Sequence, residues 1–98
     1  MGPRISLDQW RALVAVVDTG SYARAAETLH KTQSSVSYAI QRIEDQLDVP
    51  AFQIEGRRAV LTPAGRVLYR RGRALIEQAG RLEETAARLG AGVEAEIG

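Results

Sequence analysis

Cysteine is missing from this chain, and His30 is its single histidine. A disulfide framework and a thiolate metal site are thereby excluded, and one imidazole cannot by itself form a histidine metal cluster or a catalytic dyad. No metal, no cofactor and no catalysis are expected. Long apolar runs are lacking too. Nothing approaches the roughly 20 residues that span a bilayer, and no secretory signal precedes the first polar segment. A soluble, cytoplasmic protein without a membrane partner is the expectation. The opening Met1-Gly2-Pro3-Arg4-Ile5-Ser6 formally fits a myristoylation pattern, but that pattern is loose and proline follows the glycine directly.

Net charge is nearly absent as well, at +1 over 98 residues. Resolved along the chain it is far from even. Residues 1–55 carry a net −2, residues 56–73 carry six arginines without a single acid, and residues 74–98 carry a net −3. A concentrated basic segment of this kind suits a polyanion. The length allows one compact domain with a modest core and an appendage.

The stretch Ser21–Leu47, SYARAAETLHKTQSSVSYAIQRIEDQL, reads as two helices joined by a very short turn. Ser21 after Gly20 caps a first helix from Tyr22 to about Leu29, and Ala25 and Ala26 are small enough for another helix to approach closely. His30 reads as a turn residue, and Thr32 starts the second helix. So short a connection forces a steep crossing, as in a helix-turn-helix. In the second helix Val36, Ile40, Ile43 and Leu47 fall on one stripe and are assigned to the core. At about 100° per residue, Ser34, Tyr38 and Gln41 then lie opposite, with Ser35 and Arg42 on the flanks and Gln33 in the first turn. Hydroxyls and amides of this sort match base edges in a major groove. Glu44 and Asp45 would be repelled by phosphates, so only the first turns should enter. The competing reading is an ordinary solvated face on a small helical bundle that serves protein interaction.

Ahead of this pair, Ile5–Thr19 reads as a helix that buries Leu7, Trp10, Leu13, Val14 and Val17, with Ser6 or Asp8 as its cap and Gly20 ending it. Behind it, Val49-Pro50 stops the helical region. Phe52-Gln53-Ile54 and Ala59-Val60-Leu61 read as two strands around Glu55-Gly56-Arg57-Arg58, with Phe52 and Leu61 packed on the helices. The result is a wing that puts Arg57 and Arg58 at its tip, as phosphate or minor-groove contacts. Lys31, Thr32 and Arg42 are the expected backbone contacts beside the reading helix.

Thr62-Pro63-Ala64-Gly65 is a helix start, with threonine at the N-cap and proline where its missing N–H costs nothing. Leu68, Leu75, Leu82 and Leu89 then recur every seven residues, with Gly65, Gly72, Ala79 and Ala86 in the companion column. Leu68, Leu75, Ala79, Leu82, Ala86 and Leu89 are the expected dimerisation residues. Arginines early in this helix and glutamates late favour antiparallel pairing of residues 63–89. Gly90 and Gly92 are expected to end or fray the helix, leaving 91–98 as a linker. The fold class expected is mainly α: a winged helix-turn-helix of three helices and a two-stranded wing over 1–62, followed by a long dimerisation helix over 63–90.

Taken as one ordered series, Gly20-Ser21-Tyr22-Ala23-Arg24-Ala25-Ala26-Glu27, Leu29-His30, Thr32-Gln33-Ser34-Ser35-Val36-Ser37, Ile43-Glu44, Phe52, Gly56-Arg57-Arg58 and Leu61-Thr62-Pro63-Ala64-Gly65 resembles the N-terminal region of LysR-type transcriptional regulators. The resemblance covers roughly residues 5–90. It implies binding as an antiparallel homodimer to an interrupted palindrome in double-stranded promoter DNA, on the nucleoid. It also places Gln33, Ser34, Ser35 and Ser37 where bases and phosphates are met. Family members continue into a larger effector-binding domain, through which any small-molecule inducer would act, so the chain reads as an excised DNA-binding region or a natural short form. Three positions depart from the family pattern: Asp48 stands where glycine is common, Ala51 where leucine is common, and Ile54 where arginine is frequent.

Overall fold

The structure, a computed structural model, describes residues 4–56 and 58–97, the side chains of 92–97 excepted. Three helices come first, α1 (Leu7–Thr19), α2 (Tyr22–Leu29) and α3 (Gln33–Leu47), followed by β1 (Phe52–Glu55), β2 (Arg58–Leu61) and a long α4 (Pro63–Ile97). This is the mainly α winged helix-turn-helix with a trailing helix that the residue pattern calls for.

Helix α1 begins in a capping box. The Ser6 hydroxyl accepts from the Gln9 amide at 3.2 Å, and the Gln9 side chain accepts from the Ser6 amide at 2.9 Å, so Ser6 and not Asp8 is the cap. Ile5 stays outside the helix and is buried. Gly20 ends the helix at φ 77° and donates to the Val16 carbonyl. The expected apolar stripe is only part of what α1 buries. Leu13 and Val14 are in the core, whereas Leu7, Trp10 and Val17 are half-buried, and Ala12, Ala15 and Val16 join the core instead. The reason is position. Helix α1 touches α2, α3 and α4, so three sides of it are covered, not one.

The turn between α2 and α3 is as tight as the residue count demands. His30 takes a left-handed conformation at φ 56° as the cap of α2, and Lys31 donates to the Ala26 carbonyl at 2.9 Å. Thr32 caps α3 by accepting from the Ser35 amide at 3.1 Å. Val36, Ile40 and Ile43 are buried as expected, together with Ala39. Each such aliphatic side chain contributes about 1.5–3 kcal/mol when fully removed from water. Leu47 corrects the pattern: it is 37% exposed, because the last turn of α3 runs past the core to its rim.

Strands β1 and β2 pair antiparallel with Phe52 opposite Leu61 and Glu55 opposite Arg58, which leaves a two-residue turn begun by Gly56 at φ 63°. Phe52 packs against Tyr22 with ring centroids 6.4 Å apart. The wing is then tied to α4 at Thr62. Its hydroxyl donates to the Pro50 carbonyl at 2.6 Å and accepts from the Gly65 amide at 2.9 Å. A Cβ on Gly65 would fall 2.1 Å from the Ala51 carbonyl oxygen, so no larger residue fits there.

Helix α4 departs from expectation at its end. It runs through Gly90 and Gly92 to Ile97. Glycine costs a helix only about 1 kcal/mol relative to alanine and, unlike proline, leaves the hydrogen-bond ladder whole.

Candidate nucleic-acid interface

The candidate reading face of α3 is left outside by burial of the opposite one. With Val36, Ala39, Ile40 and Ile43 held in the core, Gln33, Ser34, Ser35, Ser37, Tyr38 and Gln41 are all exposed, Tyr38 at 64%. Thr32, Lys31 and Arg42 are exposed beside them. The Thr32 and Ser34 hydroxyl oxygens lie 3.4 Å apart at the start of α3. There the unpaired amides and the positive end of the helix dipole favour an anion such as a phosphate. The first turn is thus suited to positioning and the following turns to bases.

Glu44 has a different place from the one its charge suggests. Its carboxylate accepts from the Ala51 amide at 2.7 Å and from the Phe52 amide at 3.4 Å, holding the base of the wing to α3. Tyr22 is caught in the same knot: burial, and secondarily the Glu44 charge, push its phenol above the ordinary value, so it stays neutral. Neither contact was legible beforehand, because no short spacing links Glu44 to residues 51 and 52. Asp45 remains exposed where α3 leaves the reading face.

The wing presents Arg58, exposed, on the strand next to the turn. Arg57 lies outside the described residues. Among those described, Arg58 and Arg42 enter no ion pair, so their charge is free for an external anion. Arg66 was overlooked as a candidate. It shares a shallow cleft with Glu55 and Arg58, and the run of six arginines already pointed to it.

The residues expected to dimerise divide. Leu68 is half-buried against the domain's own core, and Gly65 and Gly72, expected to meet an opposing helix, instead face Ala51 and the pair Trp10 and Val14. Leu75, Leu82 and Leu89 are 47%, 69% and 65% exposed, Ala86 is exposed and Ala79 half-exposed. Some of the charge that suggested antiparallel pairing is used within the helix, where Glu77 lies 3.4 Å from Arg73 and 3.9 Å from Arg81. These pairs are exposed and contribute little. Further in, the Tyr69 hydroxyl donates to Asp18 at 2.5 Å, joining α4 to the end of α1, and this bond raises the Tyr69 pKa.

No helix among the described residues is long and apolar enough to cross a membrane. No cluster of metal-ligating side chains occurs among them.

Comparison with known proteins agrees with this geometry. Residues 7–66 match the model of the bacterial regulatory helix-turn-helix proteins of the lysR family. The HTH-type transcriptional regulator YhaJ of Escherichia coli O157:H7 is 38% identical over 93 residues, 95% of this chain and 31% of the relative. The RuBisCO operon transcriptional regulator of Allochromatium vinosum is 39% identical over 80 residues, 82% of this chain and 26% of the relative. The chain therefore spans less than a third of the length of these curated relatives. Among solved structures, the BenM_DBD/catB site 1 DNA complex superposes with a TM-score of 0.82 at 27% identity, covering 88% of this chain and 97% of that one. The CbnR_DBD-DNA complex superposes with a TM-score of 0.79 at 28% identity, covering 88% and 99%. With the family model spanning more than half of its residues and the fold shared from α1 into α4, the chain belongs to the lysR family of bacterial regulatory helix-turn-helix proteins.

Proposed function

We propose that this chain is the DNA-reading and dimerising part of a cytoplasmic, nucleoid-associated transcription regulator. Two copies joined by antiparallel α4 helices set their α3 helices in the major groove at the two halves of an interrupted palindrome. Gln33, Ser34, Ser35, Ser37, Tyr38 and Gln41 read base edges. Lys31, Thr32, Arg42, Arg57 and Arg58 hold phosphates, with Arg66 behind the wing. Response to a small-molecule inducer belongs to the length of the relatives that this chain does not span.

One observation carries the reading: the outer face of α3, from Gln33 to Gln41, is exposed, polar and uncharged, next to Arg42 and Arg58, which enter no ion pair among the described residues. An interaction module has no need of that combination. Phosphate contacts supply affinity that falls steeply with salt, and base contacts supply the choice of site.

Selection of bound duplexes from random DNA, followed by salt titration on the winner, tests both parts. A palindromic consensus and a steep salt slope are expected. Negligible affinity for every duplex at low salt would return the chain to the class of interaction modules.

A further inference from the structure

Phe52 and Leu61 share one face of the wing, and both stay half-buried. Between that face and the helices lies an open cavity of about 320 Å³, floored by Val16 and Val17 of α1, Tyr22 of α2 and the two wing residues themselves. Gly20 stands at its edge, where a Cβ would meet nothing within 4 Å, so the end of α1 leaves the mouth open. The wing is fastened at its base, through Glu44, Thr62 and the contact of Phe52 with Tyr22. That fastening leaves the space beside it unfilled.

Among the described residues, one charged side chain lines this cavity, that of Arg58. No acid answers it there. Glu55 stands opposite Arg58 in the strand pairing, but its carboxylate accepts from the Gln53 side chain at 3.3 Å and makes no ion pair with the guanidinium. Glu44 is engaged by the amides of Ala51 and Phe52. Tyr22 adds no negative charge, since burial first and the Glu44 carboxylate second hold its phenol above the ordinary value. An apolar floor beneath an unpaired guanidinium complements a small anion with a flat apolar body, whose carboxylate the planar fork of arginine can bond twice.

We infer that this cleft is a binding site for a small aromatic carboxylate, and that the bound carboxylate occupies Arg58 and withdraws it from DNA phosphates. Size agrees with the class. A cavity of about 150 Å³ already takes up benzene, so this one admits a single ring with a short acidic tail. A duplex phosphate can meet Arg58 from outside but has no apolar body to cover Val17 and Phe52, so the two occupants compete for the arginine and not for the floor. The site lies in the reading domain itself, apart from the inducer response assigned above to the length that the chain does not span. Its effect on DNA rests on the proposed function; the binding does not.

Phenylacetate is the probe, with phenethyl alcohol and phenethylamine as its uncharged and cationic counterparts. Two-dimensional amide NMR of the full chain without DNA should show saturable shifts at Val17, Gly20, Tyr22 and Ala59, with a dissociation constant of about a millimolar, as befits so small a ligand. The alcohol should bind about tenfold more weakly and the amine not at all. Arg58→Ala should raise the constant by about tenfold or more. Ala59→Leu alters an exposed strand position, so it should fill the cleft and abolish the shifts with the fold intact. Equal binding of acid, alcohol and amine, or shifts that fail to saturate or lie elsewhere, overturns the site. Competition is read as affinity for the selected duplex, against sodium acetate at the same concentration. Phenylacetate should weaken the wild-type complex severalfold more than acetate does, and should match acetate with Ala59→Leu. Equal weakening of the wild-type complex by both salts overturns the competition. A chain without affinity for any duplex fails the proposed function alone, because the shifts are recorded without DNA.

Discussion

The early and late turns of α4 repeat one heptad pattern and meet opposite fates. Gly65 and Gly72 are closed in by Ala51, Trp10 and Val14, while Leu82 and Leu89 stand in solvent. Identical spacing therefore says that a face is to be covered, and leaves open by what. Leu68 marks the changeover, half-buried on its own core although the ladder would assign it to another helix.

The contrast can be broken most forcefully at the glycines. Gly65→Ala sets a methyl 2.1 Å from a backbone oxygen that cannot step aside, and is expected to cost several kcal/mol or to abolish folding. Gly80→Ala, with nothing within 4 Å, should instead stabilise by about 1 kcal/mol. Urea titration of both variants checks the pair, and equal effects would mean that the two halves of α4 are not differently packed.

Leucines sharpen the same contrast. Leu13→Ala empties a fully buried site and should cost about 2–5 kcal/mol in monomer stability, whereas Leu82→Ala should leave the monomer within about 0.5 kcal/mol and weaken only self-association. Denaturation at a concentration below the dimer midpoint separates them.

The two faces of α3 allow a comparable test. Gln33→Ala should change the preferred sequence, with about 1–3 kcal/mol lost where a bidentate base contact is removed. Arg58→Ala should weaken all duplexes alike and lower the salt slope by about one. Competition binding against a panel of mutated duplexes distinguishes them, and a sequence preference untouched by Gln33→Ala would mean that another face reads.

The smallest effect is expected at the end of α3. Asp48 caps that helix at φ 53°, a conformation that glycine adopts without a side-chain penalty, so Asp48→Gly should stabilise by up to about 1 kcal/mol. A lower melting temperature in this variant would point to a role for the carboxylate that its backbone geometry does not require.

Much of the fold was legible in local chemistry. Ser6, Ser21 and Thr32 cap helices because a hydroxyl one residue ahead of a helix can reach an unpaired amide, and that needs no distant partner. Gly20, His30 and Gly56 fall where the backbone has to turn left-handed, and the reading face of α3 followed from Val36, Ile40 and Ile43 by helical geometry alone. The site's remaining parts lay beyond such spacing. Glu44 reaches the amides of 51 and 52, Tyr69 reaches Asp18, and Arg66 shares a cleft with Arg58, all across different elements.

Sequence by itself therefore determined the order and type of the elements, the caps at Ser21, Thr32 and Gly20, which face of α3 turns outward and where the positive charge gathers, since each depends on neighbours a few residues away. Tertiary structure alone decided that α1 is wrapped on three sides, that Leu47 is left at the rim, and that the ladder of α4 is covered by its own domain up to Gly72 and bare afterwards. Those outcomes depend on how far one packed element extends over another, and periodicity along a single helix carries no measure of that distance.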